Sequence, residues 1–148
     1  MFYKENIVIS QLFKLGYLFI IIFAFYIQFH GKISPGGGFQ SGIVLAILFI
    51  TYELLFSFID KKPTKTITDN IFIYIATIGV LCYALTGFLC VFFGGNIFDY
   101  SVLHKNIITG QQIGIFCIET GVGLTVFGSM MIIFRSLFNQ ITQLNTKI

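Results

Sequence analysis

Four long apolar runs dominate the chain, and polar residues are concentrated in the short segments between them. A helix that crosses the roughly 30 Å hydrocarbon core of a bilayer needs about 20 residues at about 1.5 Å each. The pattern therefore predicts an all-α membrane protein with four transmembrane helices in one domain, residues 1–148. We place the spans at about residues 15–29, 42–59, 71–93 and 113–134.

The first apolar run needs a comparison with a secretory signal peptide, because Lys4 and Lys14 precede it as basic residues precede such a peptide. The run continues to Phe29, and no cleavage site of the small-x-small type follows it. We therefore interpret this run as a retained transmembrane helix.

The three connections between the spans differ in character. Residues 30–41 form a glycine-rich turn, and residues 60–70 are short and charged. Residues 94–112 are longer and punctuated by glycines, and they are expected to form either a small hairpin or a short interfacial segment.

Basic residues are distributed unequally between the two sides of the predicted bundle. With four spans, both termini and the second connection share one side, and seven of the nine basic residues fall there. The other two, Lys32 and Lys105, belong to the first and third connections. Because basic residues favour the cytoplasmic side of short loops, this bias predicts that both termini are cytoplasmic.

Composition supports a membrane protein and excludes several other classes. Hydrophobic residues make up 56% of the chain and charged residues 10%, against about 25% charged in a soluble domain. The net charge of +3 is scattered, so no nucleic-acid surface is expected. The cysteines (Cys82, Cys90 and Cys117) lie in apolar segments without a Cys-x-x-Cys pair, which disfavours a disulfide framework or a zinc site. The two histidines lie on separate connections, so no metal site is expected.

The most specific local feature is the sequence HGKISPGGGFQSG at residues 30–42. Pro35 lacks a backbone N–H group, and glycine permits a positive φ, so this segment should interrupt the helix. Three successive glycines, Gly36 to Gly38, would let another backbone or side chain approach closely, and Phe39 would act as a fixed apolar plug or packing residue. Phosphate binding is the competing interpretation, but no Gly-Lys-Ser/Thr sequence follows.

The stretch HGKISPGGGFQSGIVLAILFITY resembles the MnhB/MrpB subunit family of Mrp-type multisubunit Na⁺/H⁺ antiporters. Members of that family typically have His-Gly-His-x-(Ser/Ala)-Pro-Gly-Gly-Gly-Phe-(Gln/Ile)-Gly-Gly before a hydrophobic helix. A weaker match starts at Glu119, where ETGVGLTVFG is similar to the family's Phe-Asp-x-Gly-Val-x-Leu-x-x-x-Gly. The resemblance extends from about residue 10 to 135. Lys32, Ser41 and Glu119 depart from the usual His, Gly and Asp.

The resemblance implies a non-catalytic, multi-pass subunit of a monovalent cation (Na⁺)/proton antiporter in the bacterial cell membrane. It would contribute helices and the Pro-Gly-Gly-Gly-Phe turn to assembly and to the ion path. Other antiporter subunits, the lipid bilayer, Na⁺ and H⁺ are the implied partners, and neither a cofactor nor enzymatic activity is expected.

Two other functions stay open from the sequence. The first is a membrane subunit of a hydrogenase-like, redox-driven ion-pumping complex, since related subunits occur there. The chain would not be the redox centre of such a complex, because it has no cysteine cluster and no paired-histidine haem site. The second is a stand-alone four-helix channel or small transporter, which the scarcity of polar residues in the spans and the absence of internal repeats disfavour.

Three ionisable residues in or beside the spans are candidates for the ion path. Glu119 is expected six residues into the fourth helix, roughly 9 Å below its outer start, where it lines an ion route, pairs with another subunit or forms a protonated interhelical hydrogen bond. Glu53 lies in the cytoplasmic half of the second span, where it would reach the interface or pair with a partner's basic group. His30, beside the turn, would act as a proton relay or anchor the loop. Because Glu53 and Glu119 fall in opposite halves of the membrane, a two-carboxylate hydrolase site is excluded.

Glycines also mark the fourth span. Small residues allow helices to approach closely in lipid, where helix association depends on such packing. The positions expected to serve helix packing are Gly114, Gly121, Gly123 and Gly128.

Overall fold

The computed structural model describes residues 2–31, 36–60 and 69–145. It contains four α-helices: α1, Phe2–His30; α2, Gly38–Asp60; α3, Asp69–Phe92; and α4, Ile107–Asn145. A 3₁₀ helix, Tyr100–Leu103, precedes α4. Each α-helix holds a segment long and apolar enough to cross a membrane: Gln11–His30, Gly38–Leu55, Asn70–Phe92 and Ile107–Ile141. The predictions of an all-α fold and of four spans are therefore confirmed.

The fourth helix is longer than the sequence pattern suggested. It has 39 residues and begins at Ile107, so the predicted start at residue 113 was too late. The start is defined by Asn106, whose side-chain oxygen accepts a hydrogen bond from the N–H of Ile108 at 3.0 Å. At about 1.5 Å per residue the helix is roughly 58 Å long. That exceeds a hydrocarbon core of about 30 Å, so α4 either tilts strongly or extends beyond the core.

Helix α4 lies at the centre of the bundle and contacts each of the other three α-helices. Helices α3 and α2 pack along it on different sides, while α1 packs mainly on α2. Within the described residues α2 and α3 do not contact each other. Helices α2 and α3 therefore pack on α4 rather than on each other.

The α1–α2 pair is shifted lengthwise along α4 relative to α3. Gly38, the first residue of α2, packs against Glu119, which follows the start of α4 at Ile107 by twelve residues. Twelve residues correspond to about 18 Å along a helix. The break between α1 and α2 therefore lies about 18 Å along α4 from the connection between α3 and α4, whereas the sequence suggested a depth of roughly 9 Å for Glu119.

The connection from α3 to α4 folds back on α4 as a compact segment built around the 3₁₀ helix, so it forms no hairpin. Asp99 caps this helix by accepting hydrogen bonds from the N–H of Ser101 at 3.2 Å and from its hydroxyl at 2.5 Å. The chain around Tyr100 covers Gly110, and the Tyr100 ring contacts Gly114. Gly114, expected to pack against another helix, thus packs against this segment. Burial, with smaller effects of Cys90 and Tyr83, raises the pKa of Tyr100 above its ordinary value.

Candidate functional site

Glu119 and the glycine turn form one site, although they lie on different helices. A Cβ atom added to Gly31 would lie 3.0 Å from Oε1 of Glu119, and one added to Gly37 would lie 3.3 Å from the same atom. A Cβ atom on Gly38 would overlap the backbone oxygen of Glu119. The structure therefore brings together the two motifs that the sequence presents separately.

The local backbone explains why glycine stands at two of these positions. Gly37 has a φ of +133°, which lies in the region that L-residues with a Cβ atom rarely adopt. Its carbonyl accepts the N–H of Ser41 at 3.1 Å, so α2 starts immediately after it. Gly38 is needed because the backbone of α4 passes directly beside it. Pro35 and Lys32 lie outside the described residues.

The Glu119 carboxylate has no hydrogen bond or ion pair within the part of the chain that the structure describes. It is half-buried and lies between the end of α1 and the start of α2. The last carbonyls of α1 carry partial negative charge, and the first N–H groups of α2 carry partial positive charge. An ionised carboxylate inside a membrane-spanning helix costs about 2.5–3.5 kcal/mol on insertion scales. A proton, a cation or a basic side chain would relieve that cost.

An open crevice of about 350 Å³ lies beside this carboxylate. Its lining comes from two places: Gly36 to Gln40 at the start of α2, and Ile118, Glu119 and Val122 on α4. Phe39 is 56% exposed at its edge. Because the helix already begins at Gly38, Phe39 lies in the first turn of α2 and points away from the interior of this chain. Phe39 therefore does not form an apolar plug within this chain, which was one of the two roles expected from the sequence.

His30 is held on the surface of its own helix. Its Nδ1 atom lies 3.1 Å from the carbonyl oxygen of Tyr26, and the two rings stack with centroids 4.1 Å apart. This places His30 at the end of α1, next to Gly31 and thus at the border of the Glu119 site.

Glu53 belongs to a second polar cluster. Its carboxylate receives two hydrogen bonds from Arg135 of the same chain, one from Nε at 3.2 Å and one from Nη2. The Arg135 guanidinium also lies 4.6 Å from the centre of the Phe72 ring. On α4, Arg135 follows Glu119 by sixteen residues, about 24 Å. The basic partner expected from another subunit is thus supplied by this chain, and Glu53 lies far from Glu119.

The other candidate glycines of α4 are contact points between helices of this chain. Gly121 packs against the backbone of Gly79 on α3, and Gly123 packs against Gly38 on α2. Gly128 lies against Phe72 and Ala76, again on α3.

Sequence reasoning missed three polar residues. Arg135 was counted only among the basic residues that indicate the orientation in the membrane. In the structure it forms an ion pair with Glu53. Gln28 and Ser41 meet behind the turn, where the Ser41 hydroxyl lies beside the side-chain oxygen of Gln28. The available signal was a polar residue within each of two adjacent spans, close to the connection that joins them. No group of three potential metal ligands occurs in the described residues.

Comparison with known proteins decides the family. The sequence profile described as "Domain related to MnhB subunit of Na+/H+ antiporter" matches residues 8–132. The chain belongs to the MnhB family.

Individual relatives of this MnhB-family chain include named antiporter subunits. A protein named as antiporter subunit mnhB2 in Staphylococcus haemolyticus is 30% identical over 134 residues, covering 83% of this chain and 93% of that protein. A Na(+)/H(+) antiporter subunit of Bacillus subtilis is 27% identical over 132 residues, covering 82% and 90%. No solved structure matches the chain. The family and the four apolar helices together identify a multi-pass bacterial membrane protein.

Proposed function

We propose that this MnhB-family protein is a non-catalytic membrane subunit of a monovalent cation (Na⁺)/proton antiporter, and that Glu119 lies on the cation or proton route. The observation that carries the proposal is the Glu119 carboxylate itself. It is half-buried in the break between α1 and α2, has no partner in the described residues, and borders an open crevice.

The geometry suits an ion that binds and leaves. A break between two helices exposes backbone carbonyls at one helix end and N–H groups at the other, and transporters use such ends to bind ions. A carboxylate inside a span is costly unless it is neutralised. A cation or a proton that neutralises Glu119 only transiently would explain both the absence of a permanent partner in the described residues and the access provided by the crevice.

The outer surface of the bundle favours assembly with other subunits. Only 6% of the Gln11–His30 window of α1 is buried within this chain, so most of that helix is left for lipid or for other helices. Helix α3 also presents exposed large apolar side chains, among them Ile78, Leu85 and Phe88. The relatives are named as antiporter subunits, and we extend that role to this chain.

The proposal includes both termini on the cytoplasmic side. A protease-cleavable tag at either end should be cut in inside-out vesicles and protected in right-side-out vesicles. The opposite pattern would reverse the orientation.

The test of the ion-route role replaces Glu119 with Gln, which keeps the shape and removes the charge, and with Asp, which keeps the charge. Antiport is measured as cation-dependent proton movement in inside-out vesicles from cells lacking their own antiporters, with all subunits co-expressed. We expect Glu119→Gln to lower antiport at least tenfold and Glu119→Asp to retain most of it.

The matched control is Gly16→Ala in α1, because a Cβ atom there meets nothing within 4 Å. Equal amounts of each variant in the membrane and equal recovery of co-purifying subunits exclude an assembly defect. Full antiport by the Gln variant under these conditions would remove Glu119 from the route. Mass spectrometry of the co-purified proteins separates an antiporter from a redox-driven complex, since only the latter would contain iron–sulfur or nickel proteins.

A further inference from the structure

A hydrogen bond between Gln28 and Ser41 joins α1 to α2 behind the glycine turn. The Ser41 hydroxyl donates to Oε1 of Gln28, and it also lies 2.9 Å from the carbonyl oxygen of Gly38. Ser41 is buried. Gln28 lies in the last turn of α1 and Ser41 in the first turn of α2, so the bond connects the two helix ends on either side of the turn.

Helix α4 passes directly beside this hydrogen bond. A Cβ atom added to Gly123 would lie 3.3 Å from Oε1 of Gln28 and 3.1 Å from the carbonyl oxygen of Gly38. Gly123 follows Glu119 by four residues, which is about one helical turn or 6 Å. The Gln28–Ser41 pair and the Glu119 carboxylate therefore lie on the same face of α4, about one turn apart.

The helix ends that this pair connects are the same ones that enclose Glu119. Gly31 follows the end of α1 and lies beside the Glu119 carboxylate, while Gly38 begins α2 and lies against the Glu119 backbone. Gln28 precedes Gly31 by three residues, and Ser41 follows Gly38 by three. A change in the separation of Gln28 and Ser41 therefore moves both walls of the Glu119 site.

The other contacts at this corner are made by glycines. Gly38 packs against Glu119, and Gly42 packs against the backbone of Gly123. Glycines allow helices to approach closely, but they have no side chains that interlock. A hydrogen bond has a preferred distance and direction, so the Gln28–Ser41 pair adds the constraint that these contacts lack.

We propose that Gln28 and Ser41 are positioning residues of the Glu119 site, and that their hydrogen bond holds the end of α1 and the start of α2 where both face the carboxylate. Neither side chain belongs to the lining of the crevice beside Glu119 among the described residues. They act through the two helix ends. The proposal rests on the ion-route role of Glu119 proposed above.

The consequence for transport is a change in ion affinity. The last carbonyls of α1 and the first N–H groups of α2 carry opposite partial charges, so their positions set the electrostatic environment of the carboxylate. An antiporter exchanges its two ions, and a changed affinity for either one alters the cation concentration that gives half-maximal antiport. A residue that only stabilised the fold would change the amount of complex and leave that concentration as it was.

The test measures the half-saturating Na⁺ concentration of antiport in inside-out vesicles, with all subunits co-expressed, for Gln28→Met, Ser41→Ala and the double variant. Methionine is about as long as glutamine but lacks the amide group. We expect each single variant to shift the half-saturating concentration several-fold. The double variant should shift it no further than the larger single effect, because both changes remove the same bond.

The matched control is Thr51→Ala, which removes a hydroxyl from the same helix. Thr51 donates to the carbonyl of Ile47 within α2 at 2.7 Å, so its loss should leave the half-saturating concentration unchanged. If Gln28→Met lowers the recovery of the complex, Ser41→Ala carries the test, since it removes a single oxygen atom.

Two results would overturn the proposal. An unchanged half-saturating concentration in both single variants would show that the pair does not position the site, and additive shifts in the double variant would show that the two residues act separately. Loss of antiport in Glu119→Gln together with either result rejects only the positioning role. Full antiport by Glu119→Gln rejects the ion-route role, and the positioning role with it.

Discussion

Gly38 makes the tightest contact of the Glu119 site, because the α4 backbone at Glu119 passes where a Cβ atom would be. Gly31 and Gly37 lie against the Glu119 carboxylate with slightly more room, 3.0 and 3.3 Å from an added Cβ. The side chain that these glycines accommodate thus belongs to α4. These glycines form the surface against which Glu119 of α4 packs.

Gly38→Ala should therefore destabilise the protein. A methyl group here forces α2 away from α4, and overpacking of this kind costs about 1–3 kcal/mol. Thermal unfolding in detergent measures the effect, with Gly16→Ala as the control. Gly16 lies in α1 with open space around it, and Gly→Ala inside a helix is favourable by about 0.5–1 kcal/mol. Equal stability of the two variants would show that α4 does not pack against Gly38.

The pairing of helices on α4 depends on different interactions at different heights. Near Glu119 the contacts are made by glycines on both helices, and small residues allow close approach without side-chain interdigitation. Further along, Glu53 and Arg135 join α2 to α4, with side chains that are 14% and 9% exposed. Phe72 of α3 contacts the same guanidinium, so this one cluster connects three helices.

Arg135→Met should destabilise this end of the bundle more than the double variant Glu53→Leu/Arg135→Met. The single change leaves a carboxylate unpaired in an apolar setting, which costs about 3–5 kcal/mol, while replacing both partners with apolar residues is often neutral. Chemical unfolding of the four proteins in this double-mutant cycle measures the coupling. A double variant no more stable than Arg135→Met would mean that the ion pair does not form.

The bundle as a unit is incomplete. Helices α2 and α3 do not pack on each other within the described residues, and few residues of the membrane-spanning part of α1 are buried within this chain. Phe39 stands at the edge of the crevice beside Glu119 with more than half of its surface exposed. An exposed ring in a specified position is suited to contact a helix of another subunit.

Phe39→Ala should accordingly reduce both the recovery of co-purifying subunits and antiport, by several-fold. Phe88→Ala is the matched control, because Phe88 is the same residue type on α3 and is 73% exposed. Quantitative mass spectrometry of the complex captured through a C-terminal tag gives the recovery. Equal recovery and equal antiport in both variants would show that Phe39 faces lipid.

The sequence by itself determined the spans, their number and the family. Long apolar runs define transmembrane helices locally, because each residue's transfer into the bilayer contributes nearly independently of its neighbours. The separation of α1, which ends at His30, from α2, which begins at Gly38, was equally local, since proline and successive glycines in the sequence disfavour a helix wherever they occur. The start of α4 was wrong because Gly110 and the two following glutamines resembled a loop, whereas Gly110 is accommodated by close packing against the chain at Tyr100.

The tertiary structure alone decided which residues meet. The contact of Glu119 with the glycine turn, the ion pair of Glu53 with Arg135, and the meeting of Gln28 with Ser41 all depend on how far the helices slide along α4. Hydropathy is nearly the same for every such register, because lipid-facing and helix-facing positions are both apolar. The register is fixed instead by small residues and by a few polar pairs, whose partners lie on other helices and leave no periodic signal in the sequence.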